Sequence, residues 1–182
     1  MLKGRALDTA IGRLPSRPLR DIYFRAVPLR FAGDPLGRLR PIDGQRLNLA
    51  GGARVLYLAE DQLTCLHEAQ LFGSPLTAVA LIPVQLDLKS VVDLRDGAIQ
   101  KILRTNAAEL SFNFRSLGMK APPAATQFLG ERVAASGRID GLIYESPAYS
   151  GHIDLAIIES ALSVLGSSLV VNDPGGVTDR LP

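Results

Sequence analysis

Side chains that form disulfides and metal sites are almost absent from this chain of 182 residues. It has one cysteine, Cys65, so neither an internal disulfide nor a cysteine-based zinc site can form. Its two histidines are far apart, and His67-Glu68 lacks the second histidine of an HExxH metal helix because residue 71 is Leu. These absences exclude a disulfide scaffold and argue against a metalloenzyme, and we expect no bound metal.

Long apolar runs are missing as well. The longest one, residues 78–84, is far shorter than the ~20 residues that span a bilayer. No continuous apolar stretch follows Lys3 and Arg5, as it would in a signal peptide. Hydrophobic residues nevertheless make up 47% of the chain, which is enough for a core and argues against disorder. We therefore expect a soluble, cytoplasmic protein.

The net charge of +2 is small, but the charges are unevenly placed. Residues 1–54 contain 11 Lys and Arg against 4 Asp and Glu, whereas residues 55–182 contain 9 against 14. Sixteen of the 20 basic residues are Arg, an excess that GC-rich coding sequence explains for the most part. A planar guanidinium grips phosphate with two parallel hydrogen bonds, which an ammonium cannot do. A few of these arginines are therefore candidates for binding an anion.

Hydrophobic patterning predicts an α+β fold in one domain, with twisted mixed or antiparallel β-sheets flanked by helices. Regular βαβ alternation is missing, and neither GxGxxG nor GxxxxGK[ST] occurs, which disfavours a Rossmann domain. We divide the chain into a basic N-terminal extension or packing arm (1–20), the domain itself (21–171) and a flexible C-terminal tail (172–182). Strands are predicted at 22–27, Val55–Ala59, 77–88 with an interruption at Pro83, 91–94, 141–144, Ile153–Ile158 and Ser168–Val171. Helices are predicted at 7–14, from Asp61 onward, at 98–105 and at 124–135 before Gly137.

Polar residues interrupt apolar or glycine-rich surroundings at four places. Arg25 lies in the first predicted strand, and Arg46 lies in the segment Gly44-Gln45-Arg46-Leu47-Asn48 of a long loop. Tyr57 lies in an apolar strand, and the helix after it carries Glu68. Ser146 follows the strand that begins after Asp140. Long loops and strand ends of this kind are where functional residues concentrate.

Taken in order, these segments resemble the RES-domain family over residues 22–160. The family is named for a polar Arg, Glu and Ser, and its members are bacterial toxins of toxin–antitoxin pairs. Their fold is similar to that of ADP-ribosyltransferases, and they consume NAD⁺. Two departures are visible: Ala26 stands where some relatives have an aromatic residue, and the loop has Gln45 and Leu47 where Gly and an aromatic residue are usual.

The resemblance implies NAD as the substrate, with no metal, in a cleft that we assign to five residues. We place Glu68, Arg25 and Ser146 among the catalytic residues, and Arg25, Arg46, Tyr57 and Ser146 among those that bind NAD. The two arginines would neutralise the pyrophosphate, and the Glu68 carboxylate would stabilise the positive charge that forms on ribose as nicotinamide leaves. Tyr57 would present its ring to nicotinamide or ribose, and Ser146 would hydrogen-bond the substrate rather than attack it.

Plainer roles exist for four of these five residues. The arginines can be surface groups paired with local acids, Glu68 a solvated helix residue, and Tyr57 a core tyrosine with a hydrogen-bonded hydroxyl. A non-catalytic nucleotide-binding module is therefore an alternative to an enzyme. Nucleic-acid binding through the basic first third is a weaker one, because aromatic stacking residues are scarce there.

The family resemblance also implies an ADP-ribose acceptor and a partner. We favour transfer of ADP-ribose to a protein target, with NAD glycohydrolase or NAD phosphorylase activity as the alternatives. The expected partner is a cognate helix-turn-helix antitoxin of the Xre type that blocks the active site, with acidic or polar residues against Arg25 and Arg46. We expect neither a membrane nor direct nucleic-acid binding.

Overall fold

Seven strands and six α-helices occur in the part of the chain that is described. The computed structural model describes residues 1–37, 44–72, 78–111, 123–171 and 180–181. The strands are β1 (Arg17–Pro28), β2 (Val55–Ala59), β3 (Val79–Asp93), β4 (Gly141–Glu145), β5 (Ile153–Ile158), β6 (Ser168–Val171) and β7 (Arg180–Leu181). The helices are α1 (Gly4–Ile11), α2 (Gln62–Phe72), α3 (Gly97–Leu103), α4 (Ala107–Ser111), α5 (Ala125–Ser136) and α6 (Glu159–Leu165), and a 3₁₀ turn covers Leu29–Phe31.

The strands pair in the order β1-β2-β5-β4-β3-β6-β7, and β1 also pairs with β3, so that β1 to β5 close into a ring. The pairing of β3 with β4 is parallel and the other described pairings are antiparallel, which makes the sheet mixed. Because β3 is 15 residues long, it pairs with β1 and also with β6 and then β4. The predicted α+β fold with a mixed sheet is confirmed.

Two hydrophobic cores lie on opposite faces of the sheet, because successive side chains of a strand point to opposite sides. In β4, Ile143 packs in one core with Leu155 and Ile157 of β5, whereas Leu142 and Tyr144 pack in the other. The second core is completed by apolar residues of α1, α3 and α5. Side chains on this helix-covered face of the sheet form the candidate site.

The predicted strands are present, with one correction. The interruption expected at Pro83 within 77–88 is absent, and the separate strand expected at 91–94 belongs to the same strand, β3, which continues through the proline opposite Phe24 of β1. A proline removes only one amide donor from a ladder. Pairing of β3 with β6 begins only at Val84, so β6 does not need a hydrogen-bond donor from residue 83. Residue 77, the expected start of the first of these strands, lies outside the described residues.

The predicted helices are present too, and two short ones, α4 and α6, have no counterpart in the sequence prediction. Asp61 caps α2 by accepting hydrogen bonds from the amide and hydroxyl of Thr64, at 2.9 and 2.7 Å. Helix α5 ends before Gly137, as its sequence predicts. No helix of the described ranges is long and apolar enough to cross a membrane.

Both ends of the chain contain ordered elements. Leu7, Ala10 and Ile11 of α1 are buried in the helix-covered core, and β1 begins at Arg17, inside the segment predicted as an extension. At the other end, residues 172–179 and 182 of the predicted tail lie outside the described residues, and β7 pairs with β6.

Candidate active site

Glu68 and Ser146 meet at the end of β4. Ser146 directly follows this strand and is buried, and its hydroxyl donates a short hydrogen bond to Oε1 of Glu68 on α2. The amide of Ala148 donates to the same carboxylate oxygen at 3.2 Å. Because the hydroxyl proton points at Glu68, Ser146 is arranged to orient that carboxylate.

A second carboxyl group, Asp154 of β5, adjoins this pair. It lies directly opposite Tyr144 of β4, so both side chains are on the helix-covered face of the sheet. Asp154 is 3% exposed, and its Oδ1 has no hydrogen-bond partner among the described residues. Burial, followed by the charge of Glu68 and a hydrogen bond with it, raises the pKa of Asp154 to about 9. Burial and the neighbouring carboxylate therefore favour the protonated form of Asp154.

Asp154 is a site residue that sequence reasoning missed. The signal was a lone acidic residue inside the apolar strand β5, where a charge is costly unless it has a partner. The partner, Glu68, is 86 residues away in sequence and meets Asp154 only through the fold.

Arg46 projects from a tight turn whose backbone only a glycine permits. The amide of Gln45 donates to the carbonyl of Asn48 at 3.0 Å, which puts Arg46 and Leu47 at the corner. Gly44, just before the turn, has a φ of +70°, and a Cβ there would lie 2.8 Å from a backbone nitrogen of residue 50. The loop shape expected from the Gly-rich segment therefore depends on Gly44.

The guanidinium of Arg46 is inside the protein, with 5% of the residue exposed. Its Nη1 donates to the carbonyl of Leu110 at 2.6 Å, and its Cζ lies 5.6 Å from the ring centre of Tyr144. Its Nη2 is buried without a partner among the described residues. The positive charge opposes the rise in the pKa of Asp154, so Arg46 is close enough to act on that carboxyl group. A buried donor without an acceptor is the feature here that fits an anionic ligand.

Tyr57 of β2 anchors the Arg46 turn. Its hydroxyl accepts a hydrogen bond from the amide of Leu47 at 2.9 Å and donates one to Oδ1 of Asn48 at 2.7 Å. Burial raises the pKa of the Tyr57 phenol far above its usual range, so the hydroxyl keeps its proton. The hydroxyl is thus hydrogen-bonded within the protein, as expected for a core tyrosine. Only the half-buried ring is available to a ligand.

We expect Tyr57→Phe to destabilise the protein by about 1–3 kcal/mol, because the buried amide of Leu47 loses its acceptor. Urea unfolding measures the change. In a double-mutant cycle with Asn48→Ala, the two losses will be less than additive, since both substitutions break the same hydrogen bond to the hydroxyl. Full additivity would show that the turn does not depend on this contact.

Helix α5 holds the same turn from the other side. Nε2 of Gln127 donates to the carbonyl of Gln45 at 2.9 Å, and Oε1 of Glu131 accepts from the amides of Leu49 and Ala53 at 2.8 and 3.0 Å. Between them, Gly130 lies so close that a Cβ would be 1.7 Å from the carbonyl oxygen of Leu47. The position of Arg46 is therefore set jointly by β2 and α5.

Arg25 of β1 is held by a different set of contacts. Its Nη1 donates to the carbonyl of Pro35 at 2.9 Å, and burial lowers its pKa while nearby Asp34 opposes the change. Cys65 links Arg25 to the other site residues. Burial raises the pKa of its thiol to about 12, with the charge of Glu68 adding to the rise and the charge of Arg25 opposing it. The structure thus brings Arg46, Tyr57, Glu68 and Ser146 together, whereas the interactions of Arg25 are with Pro35, Asp34 and Cys65.

A family model for the RES domain matches residues 16–177. The chain belongs to the RES-domain family. No curated protein matches it in sequence. Among solved structures, a chain in the crystal structure of the M. tuberculosis MbcT-MbcA toxin-antitoxin complex has a similar fold, with a TM-score of 0.64 and 15% identity. The match covers 94% of this chain and 87% of that one.

The RES domain has a cavity of about 240 Å³ at the end of β4, lined by Tyr144 and Glu145 but not by Glu68 or Asp154. Tyr144 and His152 line it together with Leu110, whose carbonyl binds Arg46. Its wall also includes Arg95, although that guanidinium is held by Asp93 at 2.6 Å. The cavity therefore shares Leu110 and Tyr144 with the surroundings of Arg46.

Three stacked rings form one rim of the RES site. Tyr149 stacks on His67 at 4.5 Å and on His152 at 3.9 Å between ring centres. His67, which sequence analysis left out of the site, thus packs beside the loop that follows Ser146.

Acidic groups near His152 are occupied within the protein. Nδ1 of His152 lies 3.1 Å from Oδ2 of Asp61, the cap of α2, and Glu60 accepts from the amide of Ile153 at 2.8 Å. The three side chains come close enough together to surround an ion. Because hydrogen bonds within the protein account for these positions, we assign no metal to them.

Proposed function

We propose that this RES domain cleaves the bond between nicotinamide and ribose in NAD⁺, transfers the ADP-ribose to a protein, and acts as the toxin of a bacterial toxin–antitoxin pair. The observation that carries the proposal is the Glu68 carboxylate, fixed by Ser146 and Ala148 beside a buried arginine. Membership of the RES-domain family and the likeness in fold to a chain of a toxin-antitoxin complex support it.

The chemistry needs a fixed negative charge. Departure of nicotinamide builds positive charge on the ribose, as in glycoside hydrolysis. A carboxylate beside the ribose attracts this charge more strongly in the transition state than in the ground state and so lowers the barrier. We assign this task to Glu68. Ser146 and the Ala148 amide hold the carboxylate in one orientation, so it need not reorganise as the reaction proceeds.

Binding of the dinucleotide needs donors for its pyrophosphate. Arg46 has a buried Nη2 without a partner in the described part of the chain, which supports its assignment to an anionic group. Arg25 keeps its proposed role on the phosphates, and its charge acts on Cys65 as that of Glu68 does. The half-buried ring of Tyr57 is our proposed surface for nicotinamide or ribose.

The acceptor is tested with purified protein, NAD⁺ labelled in the adenylate, and a cell extract. We expect nicotinamide release and label on a protein band. Soluble ADP-ribose alone would instead identify a glycohydrolase, and a phosphate-dependent soluble product would identify a phosphorylase; either result overturns transfer to a protein. Absence of nicotinamide release would favour the non-catalytic nucleotide-binding module.

The proposed partner is a helix-turn-helix antitoxin of the Xre type that covers the cleft. Acidic or polar side chains placed against Arg25 and Arg46 would speed and orient its docking. In the same assay, saturating partner is expected to stop nicotinamide release. Undiminished activity of the complex would show that the partner binds elsewhere.

A further inference from the structure

We propose that Asp154 is a positioning residue of this site, which keeps its proton as a neutral carboxylic acid and donates it in a hydrogen bond to Glu68. Asp154 belongs to none of the sequence motifs, and the proposed function assigns it no role. The expected effect of Asp154 on activity rests on the proposed NAD⁺ cleavage. Its protonation is independent of that function.

The location of Asp154 requires a neutral group. In the middle of the sheet, it pairs with Ala59 of β2 on one side and Tyr144 of β4 on the other, and 3% of it is exposed. Its Oδ1 meets no hydrogen-bond donor from the described residues. An ionised carboxylate with an unpaired buried oxygen is costly, whereas an acid with the oxygen protonated can donate to the neighbouring Glu68.

The charged and titratable groups around Asp154 come from three elements. Glu68 and Cys65 face it from α2, Arg46 from its turn, and Tyr144 from β4. Burial, the negative charge of Glu68 and a hydrogen bond with it favour the acid form, and Arg46 and a hydrogen bond with Ser146 oppose them with smaller effects. The pKa of about 9 that results agrees with a proton held on Asp154 at neutral pH.

This proton gives Glu68 a third hydrogen-bond donor. Ser146 and the amide of Ala148 already donate to Oε1, and Asp154 adds a donor from the sheet. If Asp154 lost its proton, two carboxylates would stand side by side and repel each other, and Glu68 would leave its orientation. Activity should therefore fall as the pH approaches the pKa of Asp154.

Asp154→Asn tests the role, because the amide of Asn has the same shape and donates at any pH. We expect this variant to keep kcat within about threefold of wild type at pH 7 and to lose the alkaline fall in activity. Asp154→Ala, which removes the donor, is expected to lower kcat by about 10- to 100-fold, as removal of a partner that orients a reacting group does. An alkaline fall that is identical in wild type and Asp154→Asn would overturn the proposal.

Protonation is tested without NAD⁺ by comparing thermal unfolding of wild type and Asp154→Asn from pH 4 to pH 9. Unfolding returns the Asp154 pKa from about 9 to its ordinary value of 3.8, so the wild type releases a proton on unfolding throughout this range. Its Tm should therefore fall relative to that of Asp154→Asn as the pH rises. Infrared spectra at pH 7 should show a protonated carboxyl band in the wild type that Asp154→Asn lacks.

A constant Tm difference and no such band would show that Asp154 is ionised and would overturn the proposal. If the band is present but neither protein cleaves NAD⁺, the protonation stands and the proposed function fails. The two failures are therefore distinguishable.

Discussion

Glu68→Gln is expected to lower the rate of nicotinamide release by about 10²- to 10³-fold, the loss typical when a preorganised electrostatic group is removed from a transition state. Gln has nearly the same shape and still offers an oxygen to Ser146 and to the amide of Ala148. The substitution therefore removes the negative charge while leaving these contacts in place. Steady-state kinetics of nicotinamide release measures the loss, which should fall on kcat more than on KM.

Folding should survive this substitution. Asp154 and Glu68 are close carboxyl groups, and neutralising Glu68 removes the largest electrostatic contribution that raises the pKa of Asp154. We therefore expect the thermal stability of Glu68→Gln at pH 7 to match or exceed that of the wild type. Expression of the variant in bacteria should no longer inhibit growth.

Glu159→Gln is the matched control. Glu159 is also a helical glutamate and is paired with Arg54 at 2.9 Å, in a partly exposed ion pair of the kind that contributes little. Its activity should stay within about twofold of wild type, because surface substitutions of this kind change stability by only about 0.5 kcal/mol. Equal activity of Glu68→Gln and wild type would remove Glu68 from the mechanism.

Gly130→Ala is expected to abolish most of the activity by displacing the turn that carries Arg46. A methyl group at residue 130 would lie 1.7 Å from the carbonyl oxygen and 2.5 Å from the carbonyl carbon of Leu47. These are backbone atoms of a turn that Tyr57 and Gln127 also hold, so they cannot move aside without breaking hydrogen bonds. Overpacking of this kind typically costs about 1–3 kcal/mol.

Urea unfolding measures the loss of stability. Nicotinamide release is then measured in buffer without urea, where the variant is folded. Activity should fall by more than the folded fraction does, because the folded variant has a misplaced Arg46. Gly97→Ala is the control: its helix position is open, with nothing within 4 Å of an added Cβ, and it should lose neither stability nor activity. Wild-type behaviour of Gly130→Ala would show that contact with α5 does not set the turn.

Several features of the fold follow from local sequence. Strand β2 is a short apolar run, and Asp61 before α2 caps it as its position predicts. The break expected at Pro83 was wrong, because proline propensity is a local preference and β3 is held by three neighbouring strands. Tertiary pairing outweighs a single missing donor.

The site was predictable only in part. The sequence marks Arg46, Tyr57, Glu68 and Ser146 as polar residues in apolar or glycine-rich surroundings, and the fold brings them together. It does not show that the Tyr57 hydroxyl is used to hold a turn. That use depends on the amide of Leu47, which has no distinctive residue type to reveal it.

By itself, the sequence determined which chemical groups were available: one thiol, two imidazoles, an excess of guanidinium groups and a few carboxylates near apolar strands. From this and the order of motifs came the α+β class, the family and the choice of Glu68. Only the tertiary structure decided how these groups interact. Arg25 donates to the carbonyl of Pro35, Arg46 is buried, and Asp154 meets Glu68 across 86 residues of chain. The reason is physical: protonation and orientation depend on burial and on neighbours a few ångströms away, and contacts between distant parts of the chain set both.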